Sequence, residues 1–164
     1  MENSVKRFED KTSTWPIRPM QTMLIVIRPY RRLDMRVAQE QVEIFHQMIG
    51  ELIHEKPTLI EGDHARRRAD FIIEEAKEYL DALEANDLVG VADALADMLY
   101  VVLGAAVAHG IDIQPIFNEV HRSNMTKTPK PGTMKLCEKG PGYQKPRIAE
   151  LLFLQNAGLE AHGD

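Results

Sequence analysis

The stretch LVGVADALADMLYVVLGAAVA, residues 88–108, decides the fold, because it is apolar around the whole helix circumference except for Asp93 and Asp97. Its length is about that of a bilayer span. Two aspartates in its middle would each cost about 2.5–3.5 kcal/mol at the centre of an inserted helix. A helix inside an α-helical bundle is the better reading, and a helix that is apolar on every side is expected to be buried there. His109-Gly110 stops it, and Asn86 and Asp87 supply turn and N-cap chemistry before it.

Helical periodicity continues on both sides. Upstream, Val37, Val42, Phe45, Met48, Ile49, Leu52 and Ile53 recur at helix-like spacing from Met35 onward, until Pro57 interrupts and Gly62 follows in a loop. A second helix is predicted from Asp63 or His64 to about Glu84. Downstream, Asp112 can cap a fourth helix with Pro115 in its first turn, and Ile113, Ile116, Phe117 and Val120 form its apolar side. After Lys127 comes TPKPGTMKLCEKGPGYQKP, then a short helix IAELLFLQ. No segment reads as an interior strand. The expected architecture is all-α: an irregular Pro- and Arg-rich arm over 1–34, a helical catalytic core over 35–127, and a basic lid or tail with a short terminal helix over 128–164.

The bulk composition narrows the classes. A net charge of -5 argues against a protein that coats nucleic acid. The one cysteine, Cys137, provides no internal disulfide and fits a reducing cytoplasm. MLIVI, residues 23–27, is too short for a secretory core. Neither a membrane nor a nucleic acid is expected as a partner.

The chemistry concentrates on two helices. In FIIEEAKEYLDAL, residues 71–83, the apolar stripe centres between Ile72 and Ala76. Glu75 lies at its edge, Glu78 a little further round, and Glu74 beyond. Glu75–Glu78 is an i, i+3 pair and Glu74–Glu78 an i, i+4 pair, so the three can share one patch. A solvated acidic edge would explain them alone. The next helix adds Asp93 and Asp97, one turn apart on one face, with Tyr100 and Gly104 continuing that face. Two ionised carboxylates on an apolar helix need a compensating positive charge. Arginines from other helices (Arg66, Arg67, Arg68, Arg122) are one source. A divalent cation is the economical one, and an all-carboxylate set favours Mg²⁺ or Mn²⁺ over zinc.

Lys127, Lys130, Lys135, Lys139, Lys145 and Arg147 stand against Glu138 alone in the segment 127–147. A basic lid over an acidic core suits a metal-bound polyphosphate; an ordinary solvated tail is the plainer alternative. Phe45, His46 and Ile49 can line a base pocket or simply pack a core. Glu43/His46, Glu51/His54 and Glu61/His64 have the Glu-x-x-His spacing of di-iron bundles, but two of the pairs share one helix and the third lies by a loop.

EEAKE (74–78), ADALADMLYVVLG (92–104), HGID (109–112), NEVHRSNMTK (118–127) and the KGPGY tail together resemble the MazG-like all-α nucleoside triphosphate pyrophosphohydrolases, in the branch with dimeric dUTPases and phosphoribosyl-ATP pyrophosphohydrolase. The resemblance covers roughly 37–150. It implies a four-helix-bundle fold that dimerises, possibly into a dimer of dimers, with both subunits shaping the site. It implies cleavage of a nucleoside triphosphate, dUTP or dGTP among the substrates, to the monophosphate and pyrophosphate. By the family pattern Glu75 and Glu78 would be metal ligands, and Glu74 a further ligand or the group that deprotonates the attacking water. Asp97 matches the closing aspartate, and Asn124 and Lys127 match positions near sugar and phosphates, with Lys139 and Lys145 following in the tail. The family's second motif, Glu-x-x-Asp, would put a glutamate at position 94; here Ala94 stands there and Asp93 is expected to substitute. A non-enzymatic nucleotide- or partner-binding bundle is the alternative.

Overall fold

The computed structural model describes residues 34–130, 132 and 136–159. The arm over 1–33 and Lys135 lie outside the described residues. Helix boundaries follow local capping. Asp34 accepts from the Arg36 amide to start α1, Met35–Ile49; Asp87 accepts from Val89 to start α3, Leu88–His109; Asp112 accepts from Gln114 to start α4, Ile113–Met125. Each side chain satisfies one of the orphan N–H groups of a first turn. Helix α2, Gly62–Glu84, begins without a side-chain cap. Among the described residues a fifth helix, α5, spans Ile148–Asn156, and a short antiparallel ladder pairs β1, Thr128–Pro129, with β2, Cys137–Glu138. The all-α bundle expected from the sequence is the architecture found.

One boundary differs from the periodicity. The apolar pattern runs on to Leu52 and Ile53, but α1 ends at Ile49, because Gly50 adopts φ 70° and turns the chain. Ile53 still reaches the core of Val42, Leu103 and Val107, so its spacing reports burial rather than helix. The connecting segment runs against the end of α3 instead. His54 N donates to the Val107 carbonyl at 3.3 Å, the His54 ring to the Ala108 carbonyl at 2.6 Å, and Thr58 N to the His109 carbonyl at 2.8 Å. Those carbonyls belong to the last turn of α3, where the Val107 oxygen also accepts from Gly110 N at 3.0 Å. Gly110 makes the close approach possible: at φ 66°, a Cβ there would strike the Lys56 carbonyl.

Helix α3 packs against α2 and α1, and α1 also against α4. It is not the fully buried helix that its composition suggests. Leu95, Leu99 and Val102 form an exposed stripe at 46%, 61% and 43% accessibility, because α1 and α2 cover only part of its circumference. By length and a mean hydropathy of 1.8 this helix meets the composition of a membrane span, with a third of that window buried.

After α4 the chain is tied back onto that helix. Ser123 Oγ donates to the Gln144 carbonyl at 2.7 Å, and Gln144 N donates to Thr126 Oγ1 at 2.9 Å. Arg147 N donates to Glu119 Oε1 at 2.8 Å. The basic segment expected to act as a lid is therefore held along α4 over 143–147.

Candidate functional site

Helices α2 and α3 form an antiparallel hairpin whose register is set by small residues. At one end Gly90 faces Ala82, where an added Cβ would lie 3.1 Å from the alanine methyl. At the other, Gly104 faces Arg68 and His46, with an added Cβ 3.2 Å from Arg68 Nη1 and 3.1 Å from His46 Nε2. Midway between these contacts, about two turns from each, Glu75 on α2 lies within electrostatic range of Asp97 on α3.

Glu75 is the centre of an acidic cluster. Its Oε2 is buried with no hydrogen-bond partner among the described residues. Burial raises its pKa, and the charges of Glu78, Asp97, Glu74 and Asp93, in that order, raise it further. The structure thus brings all five predicted carboxylates within electrostatic range of one group. Ala94 sits on this seam at 2% accessibility, while Asp93 is exposed beside it and exerts the weakest of the four effects.

None of the proposed arginines compensates these acids. Arg67 and Arg68 pair with Glu51 at 2.9 and 2.7 Å, Arg122 pairs with Glu119 at 2.7 Å, and Arg66 is exposed. Among the described residues no ion pair involves Glu74, Glu75, Glu78, Asp93 or Asp97. No three of the described His, Cys, Asp and Glu residues close a cage for a metal ion. The donor set fits a hard divalent cation nonetheless: carboxylate oxygens from two facing helices, one of them orphaned and buried.

The predicted pocket residues have separate fates. His46 is 3% exposed and its Nε2 lies 3.4 Å from Arg68 Nη1. A guanidinium only donates, so Nε2 is the acceptor and the ring proton sits on Nδ1. Burial and Arg68 lower the His46 pKa, against the Leu52 backbone, Glu51 and Glu43. His46 is therefore neutral at pH 7. Phe45 meets Tyr100 edge-on at 5.8 Å, and Ile49 is exposed at the end of α1.

A second group gathers at the end of α4. Asn124 is exposed there, and Lys127, Lys139 and Ser123 surround the Tyr143 hydroxyl, whose pKa they lower. Lys145 is exposed on the same returning segment, its carbonyl 3.5 Å from Arg122 Nη2. Two features escaped the sequence. Arg68, 7% exposed, joins Glu51, His46 and the Phe71 ring at the bottom of the seam. Glu119, also 7% exposed, clamps Arg122 and Arg147 and is depressed to a pKa of about 2, chiefly by the Arg122 hydrogen bonds. The Glu119–Arg122 spacing was a readable signal; the contacts to Gly104 and Arg147 had none.

Comparison with known proteins matches the sequence model of phosphoribosyl-ATP pyrophosphohydrolase to residues 42–124, half of the chain. The match contains both acidic walls and ends at Asn124, before the basic tail. An uncharacterised protein of Acanthamoeba polyphaga mimivirus is 37% identical over 68 residues, which are 42% of this chain and 25% of that relative. The chain thus spans a quarter of that relative's length.

Proposed function

The chain belongs to the phosphoribosyl-ATP pyrophosphohydrolase family, and on that premise we propose that it hydrolyses the α–β phosphoanhydride of a nucleoside or deoxynucleoside triphosphate. The observation that carries this reading is Glu75: a partly buried carboxyl, orphaned among the described residues and surrounded by four more acids, with no ion pair to any of them among those residues. Such a cluster suits Mg²⁺ or Mn²⁺ held by Glu75, Glu78, Asp97 and Asp93. When bound, the ion neutralises phosphate charge and lowers the pKa of a water. Glu74, exposed at the rim, orients that water and takes its proton. The water oxygen attacks the α-phosphorus, and the α–β bridging oxygen leaves with the pyrophosphate. Lys127 and Lys139 offset the charge of the leaving group, with Asn124 beside them and Lys145 on the adjoining segment. Phe45 and Tyr100 present an aromatic wall one helix away, where a base can pack.

A second copy of the chain is the partner that covers α3. Leu95, Leu99 and Val102 form one exposed apolar stripe, and Ile44 and Met48 of α1 add 65% and 73% exposed side chains. A symmetric dimer buries such a stripe against itself.

The test is pyrophosphate release from the common ribo- and deoxynucleoside triphosphates and dUTP, with Mg²⁺ and with Mn²⁺. Turnover is expected for at least one substrate, together with its loss in Glu75→Ala and Asp97→Ala at unchanged helicity. Activity retained in either variant, or none anywhere in the panel from folded, metal-loaded protein, would overturn the assignment.

A further inference from the structure

Ser123 is 2% exposed near the end of α4, and its hydroxyl donates to the Gln144 carbonyl at 2.7 Å. A hydroxyl carries one proton. That proton is shared, more weakly, with the Tyr143 oxygen 3.4 Å away, which accepts from it. Tyr143 therefore keeps its own proton for donation.

The backbone around this phenol is fixed. Gln144 N donates to Thr126 Oγ1 at 2.9 Å, and Arg122 donates to the Gln144 side chain at 2.5 Å. Tyr143 N donates to the Gly140 carbonyl at 3.0 Å, closing a turn. Gly140 lies so close to Thr128 that a Cβ there would strike the threonine hydroxyl. That turn places Lys139 Nζ 5.0 Å from the centre of the Tyr143 ring. Lys130 is engaged by Glu138 at 2.6 Å, whereas Lys139 is in none of the ion pairs of the described residues. The phenol is surrounded by Ser123, Lys139 and Lys127, and all three push its pKa down, Ser123 most, against burial. Among the described residues no carboxylate contributes. A donor hydroxyl beside two ammonium groups, with no ion-paired acid among the described residues, is a receptor for a multiply charged oxyanion.

We propose that Tyr143 is a binding residue for the diphosphate group shared by the triphosphate substrate and its pyrophosphate product, donating its O–H to a phosphate oxygen beside Lys139 and Lys127. Ser123 is the positioning residue behind it. The substrate named here rests on the pyrophosphohydrolase reading, but the anion site is built by α4 and the tail, apart from the acidic walls.

The test titrates full-length protein with inorganic pyrophosphate in a calorimeter, comparing the native chain with Tyr143→Phe and Lys139→Ala, a surface change that leaves the fold alone. Each variant is expected to bind about tenfold more weakly, the scale of one charge-assisted hydrogen bond. The phenol titration seen near 295 nm and lost in Tyr143→Phe is expected to move to higher pH on saturation, because a bound anion disfavours phenolate. A purely structural tyrosine would not show that shift. In turnover assays, a higher KM in Tyr143→Phe marks contact in the substrate, and weaker inhibition by pyrophosphate alone marks contact in the product. Unchanged affinity in both variants, an unmoved phenol, or no pyrophosphate binding by the native chain overturns the proposal. Pyrophosphate binding that needs Tyr143 in a chain without turnover would sink the enzymatic reading and leave this site standing.

Discussion

Glu75 on α2 and Asp97 on α3 lie within electrostatic range of each other midway along a helical hairpin, about two turns from the Ala82–Gly90 contact and two from the Arg68–Gly104 contact. The small residues at both ends set the approach of the helices, and that approach brings the acids together. Their repulsion is the cost of the arrangement, and a cation is its remedy.

That cost gives a thermal prediction. Burial and four acidic neighbours raise the Glu75 pKa, so the folded chain holds this proton more tightly than the unfolded one. The associated stability is present below the ordinary carboxylate range and lost as pH rises through the raised value. In EDTA at pH 7.5, with the site apo and charged, Glu75→Gln is expected to raise Tm by roughly 2–4 °C. Millimolar Mg²⁺ or Mn²⁺ should raise Tm in the native chain more than in the variant. A lower Tm for the variant in EDTA, measured by scanning calorimetry, would show that Glu75 is compensated.

Glu119 has the opposite sign. Its pKa falls to about 2, first through the Arg122 hydrogen bonds and then through Arg147, against burial. Its stability is present above the ordinary carboxylate range and lost as pH falls through the depressed value. Glu119→Gln should cost about 1–3 kcal/mol at neutral pH, the range for hydrogen bonds to a charged group. Its difference from the native chain should close below pH 4.5. Hydrogen exchange should report faster amides over 143–147. Unchanged protection there would mean that the tail is held by something other than this carboxylate.

Gly110 and Gly50 separate two effects of glycine. Both have positive φ, 66° and 70°, but only Gly110 is packed against backbone, at the Lys56 and His54 carbonyls. Gly50→Ala meets nothing within 4 Å and should cost about 1 kcal/mol of strain. Gly110→Ala adds a backbone collision and should cost about 2–4 kcal/mol. Urea midpoints measure both, and equal losses would refute the role of the close approach.

Leu99 is 61% exposed in the middle of the α3 stripe. Leu99→Glu puts a charge where two copies are proposed to meet, at a position the single chain leaves in solvent. Light scattering is expected to show a dimer for the native chain and a monomer for the variant, with helicity retained. A variant that stays dimeric would place the interface elsewhere.

Much of this was legible before the fold. Asp87 and Asp112 announce two helix starts, and each caps as its side chain dictates. The acids of α2 and α3 were readable as one cluster, because carboxylates on an otherwise apolar helix need a partner. The end of α1 was misread: Ile53 keeps apolar spacing because it faces the same core after Gly50 has turned the chain. Periodicity reports which residues meet the core; it does not say whether the backbone between them is helical.

The sequence by itself determined the helical class, the acidic inventory and the basic tail, since these follow from spacing and side-chain type along short stretches. Tertiary structure decided which charges meet. Arg68 turns to Glu51 and His46 at Gly104, and Arg122 and Arg147 are taken by Glu119, so among the described residues no arginine pairs with Glu75. Apart from Glu119–Arg122, those pairings join residues separated along the chain through helix register and a returning tail. Local sequence carries no record of such distances, because they are set only when the helices pack.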